Sequence, residues 1–412
     1  MRYVAPSTID GIVAAPPSKS VGQRILLAAA VAGGDCTVRN AGNCSDILAA
    51  MEIARGLGAE VRRRGEDIAV FAGSRPRSGR LECGESATGM RMAAPLAALF
   101  PERFSIDGCG SLRKRPMAMM EMPLRELGAE CATTAGLAPV TVRGPLRGGR
   151  IALNGSLTSQ FASGLLMALA CCPEDSEVEI RNLVSRGYLT LTISVMARFG
   201  VSVETDGNRD LYRLRGGQIY RPGDYAVEGD WSAAAFLLVA GAIAGRAAVT
   251  NLAEDQPDSA ILDALRAAGA GVKRTGGRAE SVRGRLRGFE FDAIQSPDLF
   301  PPLVALACFC EGKSVLTGAG RLRHKESDRA AALAEEFRRI GADVTVRRDR
   351  MEVRGRRLAG GTIRSRGDHR IAMAGAVAAL ASDTGVTIEG AECVAKSYPG
   401  FFDDLDALKE KT

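Results

Sequence analysis

The chain has 412 residues, of which 46% are hydrophobic, so we expect two soluble globular domains of about 200 residues rather than one large core. Fifty-four basic residues against 48 acidic ones give a net charge of only +6, and aromatic residues make up 5%. This balance excludes the concentrated basic, aromatic-rich surface of a typical nucleic-acid binder and suits small anionic ligands better.

One recurring element is an amphipathic helix that ends at a glycine and is followed by a strand. The glycines are Gly58, Gly128, Gly200, Gly269 and Gly341, separated by 70, 72, 69 and 72 residues. Glycine is the usual left-handed residue just past a helix end. In the helix predicted at 327–340, with Ser327 as its cap, Leu333, Phe337 and Ile340 share one face, and the Glu and Arg residues occupy the other.

A second series of positions is in phase with the first. It consists of Lys19, Arg91, Gln160, Asp230, Asp298 and Arg370, separated by 72, 69, 70, 68 and 72 residues. Each begins or closely precedes an apolar stretch, such as 161–172, 233–244, 302–310 and 371–381. Helices that are apolar on every side belong in a core. Two series in phase predict internal repeats of about 70 residues, three in each domain.

The polar residues stand where these apolar helices begin. In the segment 16–20, Ser18 or Ser20 can cap a helix, and Lys19 with Arg24 can bind a phosphate or carboxylate. Segments 85–91 and 156–161 add an arginine, hydroxyls and an amide at two further helix starts. Taken singly, each is also explained as an ordinary helix cap with solvated polar residues.

Segment 323–329 is denser, because it joins Glu326 to Lys325 and flanking arginines. It is either a solvated helix entry or a proton donor inside an anion-binding pocket. Asp298 is a lone acid before an apolar stretch, and it too could be only a helix cap. Two further polar segments are 367–370, which opens the sixth apolar helix, and 396–399, near the end of the chain. Together, many cations and two carboxylates at repeated helix starts are hard to explain by capping alone.

Neither metal binding nor membrane insertion is indicated. Most of the ten cysteines stand singly, none has the paired spacing of a zinc site, and only two histidines are present. The longest apolar run, near 233–244, is shorter than the roughly 20 residues of a membrane helix. Residues 1–15 lack a signal-peptide core, so we expect a cytoplasmic protein with metal-free chemistry.

At these motifs the chain resembles the 5-enolpyruvylshikimate-3-phosphate synthase family of enolpyruvyl transferases. The matching segments occur in family order at 17–20, 112–116, 158–160, 185–188, 229–230, 325–329, 368–370 and 396–399. The resemblance implies an α/β fold of two inverted barrel-like domains, each with three βαβαββ repeats and its core helices inside. It places one lobe at 16–227, on the shikimate-phosphate side. The other lobe comprises 1–15 and 228–412, with the acid, the base and phosphoenolpyruvate.

The resemblance implies transfer of the enolpyruvyl group of phosphoenolpyruvate to the 5-hydroxyl of shikimate 3-phosphate, with release of phosphate through a tetrahedral intermediate. This is a step of chorismate and aromatic amino acid biosynthesis, and it needs no cofactor or metal. Shikimate 3-phosphate is expected to trigger closure of a monomeric enzyme at hinges near 15–17 and 225–229, which excludes water. No nucleic acid or membrane partner is implied.

The implied site residues form three groups. Catalysis is assigned to Asp298 as the base on the 5-hydroxyl, Glu326 as the acid, and Lys19 and Lys325. Shikimate 3-phosphate is assigned to Ser20, Arg24, Thr158, Ser159, Gln160, Ser185, Tyr188, Asp298 and Lys325. Phosphoenolpyruvate is assigned to Lys19, Ala87, Arg91, Arg115, Gln160, Arg329, Arg370 and Lys396. His369 is expected only to orient its neighbours.

Three positions depart from the family pattern. Thr158 replaces a usual serine and keeps the hydroxyl. Arg321 stands where many members have asparagine, and the sequence does not show what it contacts. Ala87 stands where glycine is common beside the phosphoenolpyruvate pocket. Its methyl group narrows a close-packed wall, so we expect weak inhibition by glyphosate, the phosphoenolpyruvate-like inhibitor of the family.

Three alternatives stay open. The sister enzymes that transfer enolpyruvate to UDP-N-acetylglucosamine share the fold, but segments 18–20, 158–160 and 325–329 match the shikimate branch better. RNA 3'-phosphate cyclases have related units and would show ATP-dependent labelling of His324 or His369. A non-catalytic binder of phosphorylated ligands would be expected to lose Asp298 or Glu326, and both are present.

Overall fold

The computed structural model describes residues 1–73, 76, 79–206 and 209–410. They form two compact units. The continuous unit is Pro17–Val227, and the discontinuous unit is Met1–Pro16 with the chain from Glu228 onward. Pro16 therefore lies in the discontinuous unit rather than in the N-terminal lobe where the sequence had placed it.

Six α-helices of the described residues are almost wholly buried, namely those that begin at Lys19, Ala87, Gln160, Trp231, Phe300 and His369. In chain order the α-helices are α1 Lys19–Ala30, α2 Ser45–Gly56, α3 Ala87–Ala97, α4 Glu121–Glu126, α5 Gln160–Leu169, α6 Arg186–Arg198, α7 Trp231–Ala244, α8 Ile261–Ala268, α9 Phe300–Cys308, α10 Arg329–Arg339, α11 His369–Ala379 and α12 Phe401–Ala407.

The strands are short and mostly alternate buried and exposed side chains, because one face of each sheet covers helices. They are β1 Arg2–Val4, β2 Ile9–Ala14, β3 Cys36–Arg39, β4 Glu60–Arg64, β5 Asp67–Phe71, β6 Arg80–Glu82, β7 Arg103–Asp107, β8 Glu130–Thr134, β9 Leu137–Arg143, β10 Arg150–Asn154, β11 Ser176–Arg181, β12 Glu204–Asp206, β13 Leu211–Leu214, β14 Gly223–Ala226, β15 Gly245–Thr250, β16 Gly271–Thr275, β17 Arg278–Val282, β18 Glu290–Asp292, β19 Lys313–Thr317, β20 Asp343–Arg347, β21 Arg350–Arg354, β22 Gly361–Arg364 and β23 Val386–Glu389.

The repeat is visible in the sheets. The continuous unit has the sheet orders β14-β3-β5-β4, β6-β7-β9-β8 and β10-β11-β13-β12. The discontinuous unit has β16-β17-β15-β2, β18-β19-β21-β20 and β1-β23-β22. In each four-stranded sheet two neighbouring strands are parallel, as in the register Arg150↔Glu177 to Asn154↔Arg181, and the other two form an antiparallel hairpin. The sixth repeat is shortened, because β1 pairs antiparallel with β23 in place of a hairpin.

Two strands come from outside the repeat that they complete. Strand β2, before the continuous unit, pairs parallel with β15, whereas β14, at the end of the continuous unit, pairs parallel with β3. The continuous unit thus closes its first sheet with a strand from its C-terminal end, and the discontinuous unit uses a strand from its N-terminal segment. Each unit also has its own hydrophobic core, around α7, α9 and α11 in one and α1, α3 and α5 in the other.

The glycines predicted to end helices are confirmed as left-handed. Gly58, Gly128, Gly200, Gly269 and Gly341 have φ values of 110°, 88°, 78°, 92° and 98°. The predicted apolar helices are also present, although most of them begin one or two residues earlier than expected. Among the described residues, no helix has both the length and the apolarity that a bilayer crossing requires.

Helix α10 corrects two expectations. Its cap is Asp328, whose carboxylate accepts from the N–H of Ala331 at 3.2 Å, and not Ser327. Glu336 does not lie on a solvated face: its side chain is wholly buried, accepts from the N–H of Arg364 at 3.0 Å and pairs with Arg366. These bonds tie α10 to the strand and loop that lead into α11.

Candidate active site

The polar residues predicted at helix starts lie at or near the N-termini of the buried helices. Side chains of Ser18, Ser86, Asp230 and Asp368 cap α1, α3, α7 and α11 by accepting backbone N–H groups. Capping fixes the first turn of each helix, and the remaining N–H groups of that turn give it a positive end that favours anions.

In the continuous unit, Lys19 is held by an acid that the sequence had not singled out. Its ammonium group donates to the carboxylate of Asp46 at 2.7 Å, and both side chains are largely buried. Asp46 stands in the first turn of α2, one of the amphipathic helices of the repeat. Asp46 is buried there together with Ile47, and because burial depends on what packs over the helix, the sequence carries no signal that marks this acid.

Arg24 is a buried cation that bonds to neutral groups. Its side chain is about 1% exposed, and its guanidinium donates to the Thr192 hydroxyl at 2.7 Å and to the carbonyls of Ser20 at 2.8 Å and Tyr188 at 3.2 Å. Burial lowers the pKa of Arg24 to about 10, against a smaller opposing effect of Tyr188. The structure thus brings together Ser20, Arg24 and Tyr188, and adds Thr192 to them. A charge in this setting favours an anionic ligand.

Helices α3 and α5 bring two predicted residues together. Arg91 donates to the side-chain oxygen of Gln160 at 2.7 Å, and the amide of Gln160 donates to the Thr88 hydroxyl at 2.7 Å. Arg91 also donates to the carbonyl of Pro116 at 2.8 Å, directly after the buried Arg115. Ala87 is the first residue of α3 and is buried.

The hydroxyl residues assigned to a phosphate lie at the starts of α5 and α6. Thr158 accepts from the backbone N–H of Gln160 at 3.2 Å, and Ser159 is the buried residue before α5. Ser185 precedes α6 with a left-handed backbone, φ 55°, and is also buried. The two loops are joined by a hydrogen bond from the N–H of Val184 to the carbonyl of Gly155 at 3.4 Å.

In the discontinuous unit Asp298 lies at the centre of a cationic cluster. One carboxylate oxygen accepts from Lys325 at 3.2 Å and from Arg329 at 3.0 Å, and the other accepts from Arg370 at 3.1 Å. Burial alone would raise the pKa of Asp298, but the charges of Arg370, Lys325 and Arg329 outweigh it and hold that pKa well below the usual range. Asp298 is therefore ionised at neutral pH, and it is not a helix cap, since Ser296 precedes that turn.

Arg329 organises the acids of this cluster. Its side chain has no exposed area, and it donates to Glu326 at 2.7 Å and to Asp368 at 2.9 Å and 3.2 Å, besides Asp298. Burial opposes its charge, but Asp368, Glu326 and Asp298 together raise the pKa of Arg329 above its ordinary value. Arg329 thereby holds both predicted carboxylates, Asp298 and Glu326, through one guanidinium.

Lys325 is a cation with a shifted pKa. Burial lowers the pKa of Lys325 to about 8, Arg329 and Arg321 add to the decrease, and Asp298 opposes it. Arg321, whose contact the sequence did not reveal, donates to the carbonyl of Ile294. It therefore ties the 3-10 turn that leads to Lys325 to the loop that leads to Asp298.

Two further predicted positions lie beside α11. His369 is its first residue and is 1% exposed, with Nδ1 3.9 Å from the carboxylate of Asp368. Lys396 is buried at the end of the 3-10 turn Ala391–Lys396, which packs against α11. Within the part of the chain that the structure describes, no group of three or more His, Cys, Asp or Glu side chains is arranged to hold a metal ion.

The sequence matches a known family over nearly its whole length. Residues 4–405 match the family model described as EPSP synthase (3-phosphoshikimate 1-carboxyvinyltransferase). A 3-phosphoshikimate 1-carboxyvinyltransferase of Aeropyrum pernix is 42% identical over 98% of this chain and 95% of that protein. One of Methanocorpusculum labreanum is 39% identical over 98% of this chain and 97% of that protein.

Solved structures show the same fold. An EPSP synthase from Acinetobacter baumannii superimposes with a TM-score of 0.81 at 28% identity, covering 99% of this chain and 98% of that one. The enolpyruvyl transferase NikO from Streptomyces tendae, at 20% identity, has a TM-score of 0.79 over 98% and 96% of the two chains. The expected enolpyruvyl transferase fold is confirmed, and the chain belongs to the EPSP synthase (3-phosphoshikimate 1-carboxyvinyltransferase) family of transferases.

Proposed function

We propose that this enzyme transfers the enolpyruvyl group of phosphoenolpyruvate to the 5-hydroxyl of shikimate 3-phosphate. Addition gives a tetrahedral intermediate, and elimination releases phosphate. The observation that carries the proposal is the cluster in which Asp298 and Glu326 share Arg329, with Lys325 and Arg370 on Asp298. It supplies the two carboxyl groups and the cations that the reaction requires.

The two substrates are both multiply charged anions, so binding must offset their repulsion. We assign the carboxylate of shikimate 3-phosphate to Ser20 and Arg24, because Arg24 is buried among neutral acceptors. Its phosphate is assigned to Thr158, Ser159 and Ser185. Other groups of shikimate 3-phosphate are assigned to Gln160, Tyr188, Asp298 and Lys325. Phosphoenolpyruvate is assigned to Lys19, Ala87, Arg91, Arg115, Gln160, Arg329, Arg370 and Lys396.

Asp298 is assigned as the base on the 5-hydroxyl. The three cations that keep its carboxylate ionised also make it a weak base while the site is empty. Bound phosphate and carboxylate groups would offset those positive charges and so raise the basicity of Asp298. The substrates themselves would then activate the base only when both are present.

Glu326 is assigned as the acid that protonates the methylene carbon. Its position is fixed by the ion pair with Arg329 at 2.7 Å. Arg329 binds both carboxylates, so besides its assigned contact with phosphoenolpyruvate it sets the distance between acid and base. Domain closure, the monomeric state, the cytoplasmic location and the absence of a cofactor stay predictions.

The test is release of phosphate from phosphoenolpyruvate, measured with and without shikimate 3-phosphate. Wild-type enzyme should release phosphate only with both, and Asp298→Ala and Glu326→Gln should each lose at least about a hundredfold in kcat, as expected for removal of a general base or acid. Asp263→Asn, an exposed acid of α8, is the matched control and should leave the rate unchanged.

The alternatives are separate outcomes of this experiment. Phosphate release that depends on UDP-N-acetylglucosamine instead would assign the sister reaction. Unchanged rates in both variants would refute the acid and base assignments, and no release with any acceptor would point to a binder without catalysis. ATP-dependent labelling of His324 or His369 would indicate a cyclase.

A further inference from the structure

Arg370 lies in the discontinuous unit, and a serine from another core helix holds its guanidinium. Its Nη2 donates to the hydroxyl of Ser232 at 2.8 Å and to the carboxylate of Asp298 at 3.1 Å, and its Nη1 donates to the carbonyl of Asp298 at 3.3 Å. The Arg370 side chain is 3% exposed. Ser232, on the first turn of α7, is buried as well.

The hydroxyl of Ser232 has a fixed direction. It donates its single proton to the carboxylate of Asp230 at 2.7 Å, and the same oxygen of Asp230 accepts from the N–H of Ala233 at 2.9 Å, which caps α7. Because a hydroxyl has one proton and two lone pairs, this donation leaves the Ser232 oxygen as an acceptor toward Arg370. The Ser232 oxygen that accepts from Arg370 is thus held in place by the capped N-terminus of α7.

The contacts of Arg370 differ in what substrate binding does to them. The ion pair between Arg370 and Asp298 is weakened in two ways. Asp298 loses its charge when it accepts the proton of the substrate hydroxyl, as assigned, and a phosphate bound to Arg370 competes with Asp298 for the guanidinium. The neutral Ser232 carries no charge that a bound phosphate would repel, so its hydrogen bond can persist through the reaction. Arg370 would then keep its orientation while its ionic partner changes.

We propose that Ser232 is a positioning residue for phosphoenolpyruvate, which holds the guanidinium of Arg370 in place through a hydroxyl oriented by Asp230. This inference rests on the proposed function of the same site. Ser232 acts through Arg370 and has no contact with the reacting atoms. Its loss should therefore weaken binding of phosphoenolpyruvate selectively.

The experiment compares Ser232→Ala, Ser232→Cys and Ser232→Thr with Ser281→Ala. Ser281 is the matched control, because it is also buried and also bonds to α7, donating to the carbonyl of Leu238 at 2.5 Å. We expect Ser232→Ala and Ser232→Cys to raise the KM for phosphoenolpyruvate about tenfold, the size of one lost hydrogen bond to a charged group. The KM for shikimate 3-phosphate should not change, and Ser232→Thr should recover most of the loss.

A purely structural role for Ser232 would lower the midpoint of thermal unfolding in Ser232→Ala and Ser281→Ala alike without separating the two KM values. Equal KM values for phosphoenolpyruvate in wild type, Ser232→Ala and Ser232→Cys, or a parallel rise in both KM values, would overturn the inference. If Ser232→Ala did not fold, the nearly isosteric Ser232→Cys and the hydroxyl-bearing Ser232→Thr would decide it.

The proposed function fails on a different result, namely no phosphate release by wild-type enzyme with both substrates. In that case calorimetric titration of wild type and Ser232→Cys with phosphoenolpyruvate, in the presence of shikimate 3-phosphate, decides the inference without turnover. Weaker binding in Ser232→Cys would support it. Equal binding, or binding to neither protein, would overturn it.

Discussion

At the scale of single residues, the charge state of Lys325 is the most informative property of the site. Its ammonium group lies 3.2 Å from Asp298, yet burial lowers the pKa of Lys325 to about 8. Below that pH the group is a cation that attracts an anionic substrate, and above it the charge is lost. The neighbouring acids raise the pKa of Arg329, which keeps its charge over the same range, so Lys325 should dominate the alkaline response of this cluster.

We therefore expect the KM for shikimate 3-phosphate to rise as the pH increases through about 8. Lys325→Arg should keep a charged side chain over this range and so remove or delay the rise. The measurement is a pH profile of KM from pH 6 to 10, and Lys273→Arg, on the exposed strand β16, is the control. A profile of Lys325→Arg that matched wild type would assign the titration to another group.

Ala87 gives a second prediction at this scale. Its side chain is buried at the first position of α3, one helical turn before Arg91, which bonds to Gln160. Ala87→Gly removes one methyl group from a packed wall and should make glyphosate a tighter inhibitor, with little change in the KM for phosphoenolpyruvate.

The measurement is the inhibition constant of glyphosate against phosphoenolpyruvate. Ala264→Gly, in the interior of α8 in the other unit, controls for the general effect of adding a glycine to a helix. An inhibition constant of wild type no higher than its KM for phosphoenolpyruvate would contradict the weak inhibition predicted from Ala87.

At the scale of elements, the site depends on how closely the buried helices approach. Helices α3 and α5 pack against each other at Gly164, where an added Cβ would lie 2.4 Å from Cα and 2.8 Å from the carbonyl oxygen of Met92. Both atoms belong to the backbone, so neither can move as a side chain would. This approach lets Arg91 and Gln160 meet at 2.7 Å across the two helices.

Gly164→Ala should therefore destabilise the continuous unit by about 1–3 kcal/mol through overpacking and separate Arg91 from Gln160. Urea unfolding would measure the free energy, and kcat/KM would report the displaced site. Gly271→Ala is the control, because its added Cβ would lie 3.5 Å from Val282, an ordinary contact. Unchanged stability of Gly164→Ala would show that α3 and α5 can separate without cost.

At the scale of the whole molecule, only short stretches of chain connect the two units. At the crossing near residue 228, the N–H of Val227 donates to the carbonyl of Arg39 in the continuous unit. The N–H of Gly229 donates to the carbonyl of Asn251 in the discontinuous unit. At the other crossing, between Pro16 and Pro17, the carbonyl of Pro16 accepts from the N–H of Asp230 at 2.8 Å. The backbone is anchored within each unit up to these points, so hinge motion would be confined to a few peptide bonds.

The continuous unit should fold by itself, because its three sheets and its core use only its own residues. A fragment of residues 17–227 should unfold cooperatively on heating, followed by circular dichroism. A fragment of residues 17–222 lacks β14, the parallel partner of β3, and should unfold at a lower temperature. A non-cooperative transition of the longer fragment would show that its core needs the discontinuous unit.

The sequence alone determined the repeat, the buried helices and the position of the polar segments. These are local properties, because a left-handed glycine such as Gly200 and an apolar stretch such as α7 follow from neighbouring residues. The resemblance then supplied roles for residues such as Asp298 and Glu326, which the structure brings together on Arg329.

Only the tertiary structure decided which side chains pair. The bonds Lys19 to Asp46, Arg24 to Thr192 and Arg370 to Ser232 join residues 27, 168 and 138 positions apart, and no local pattern encodes them. Burial likewise reversed the expectation for Glu336, because solvent access depends on what packs over a helix and not on its own sequence. The pairing of β2 with β15 and of β14 with β3 also depends on contacts between strands far apart along the chain.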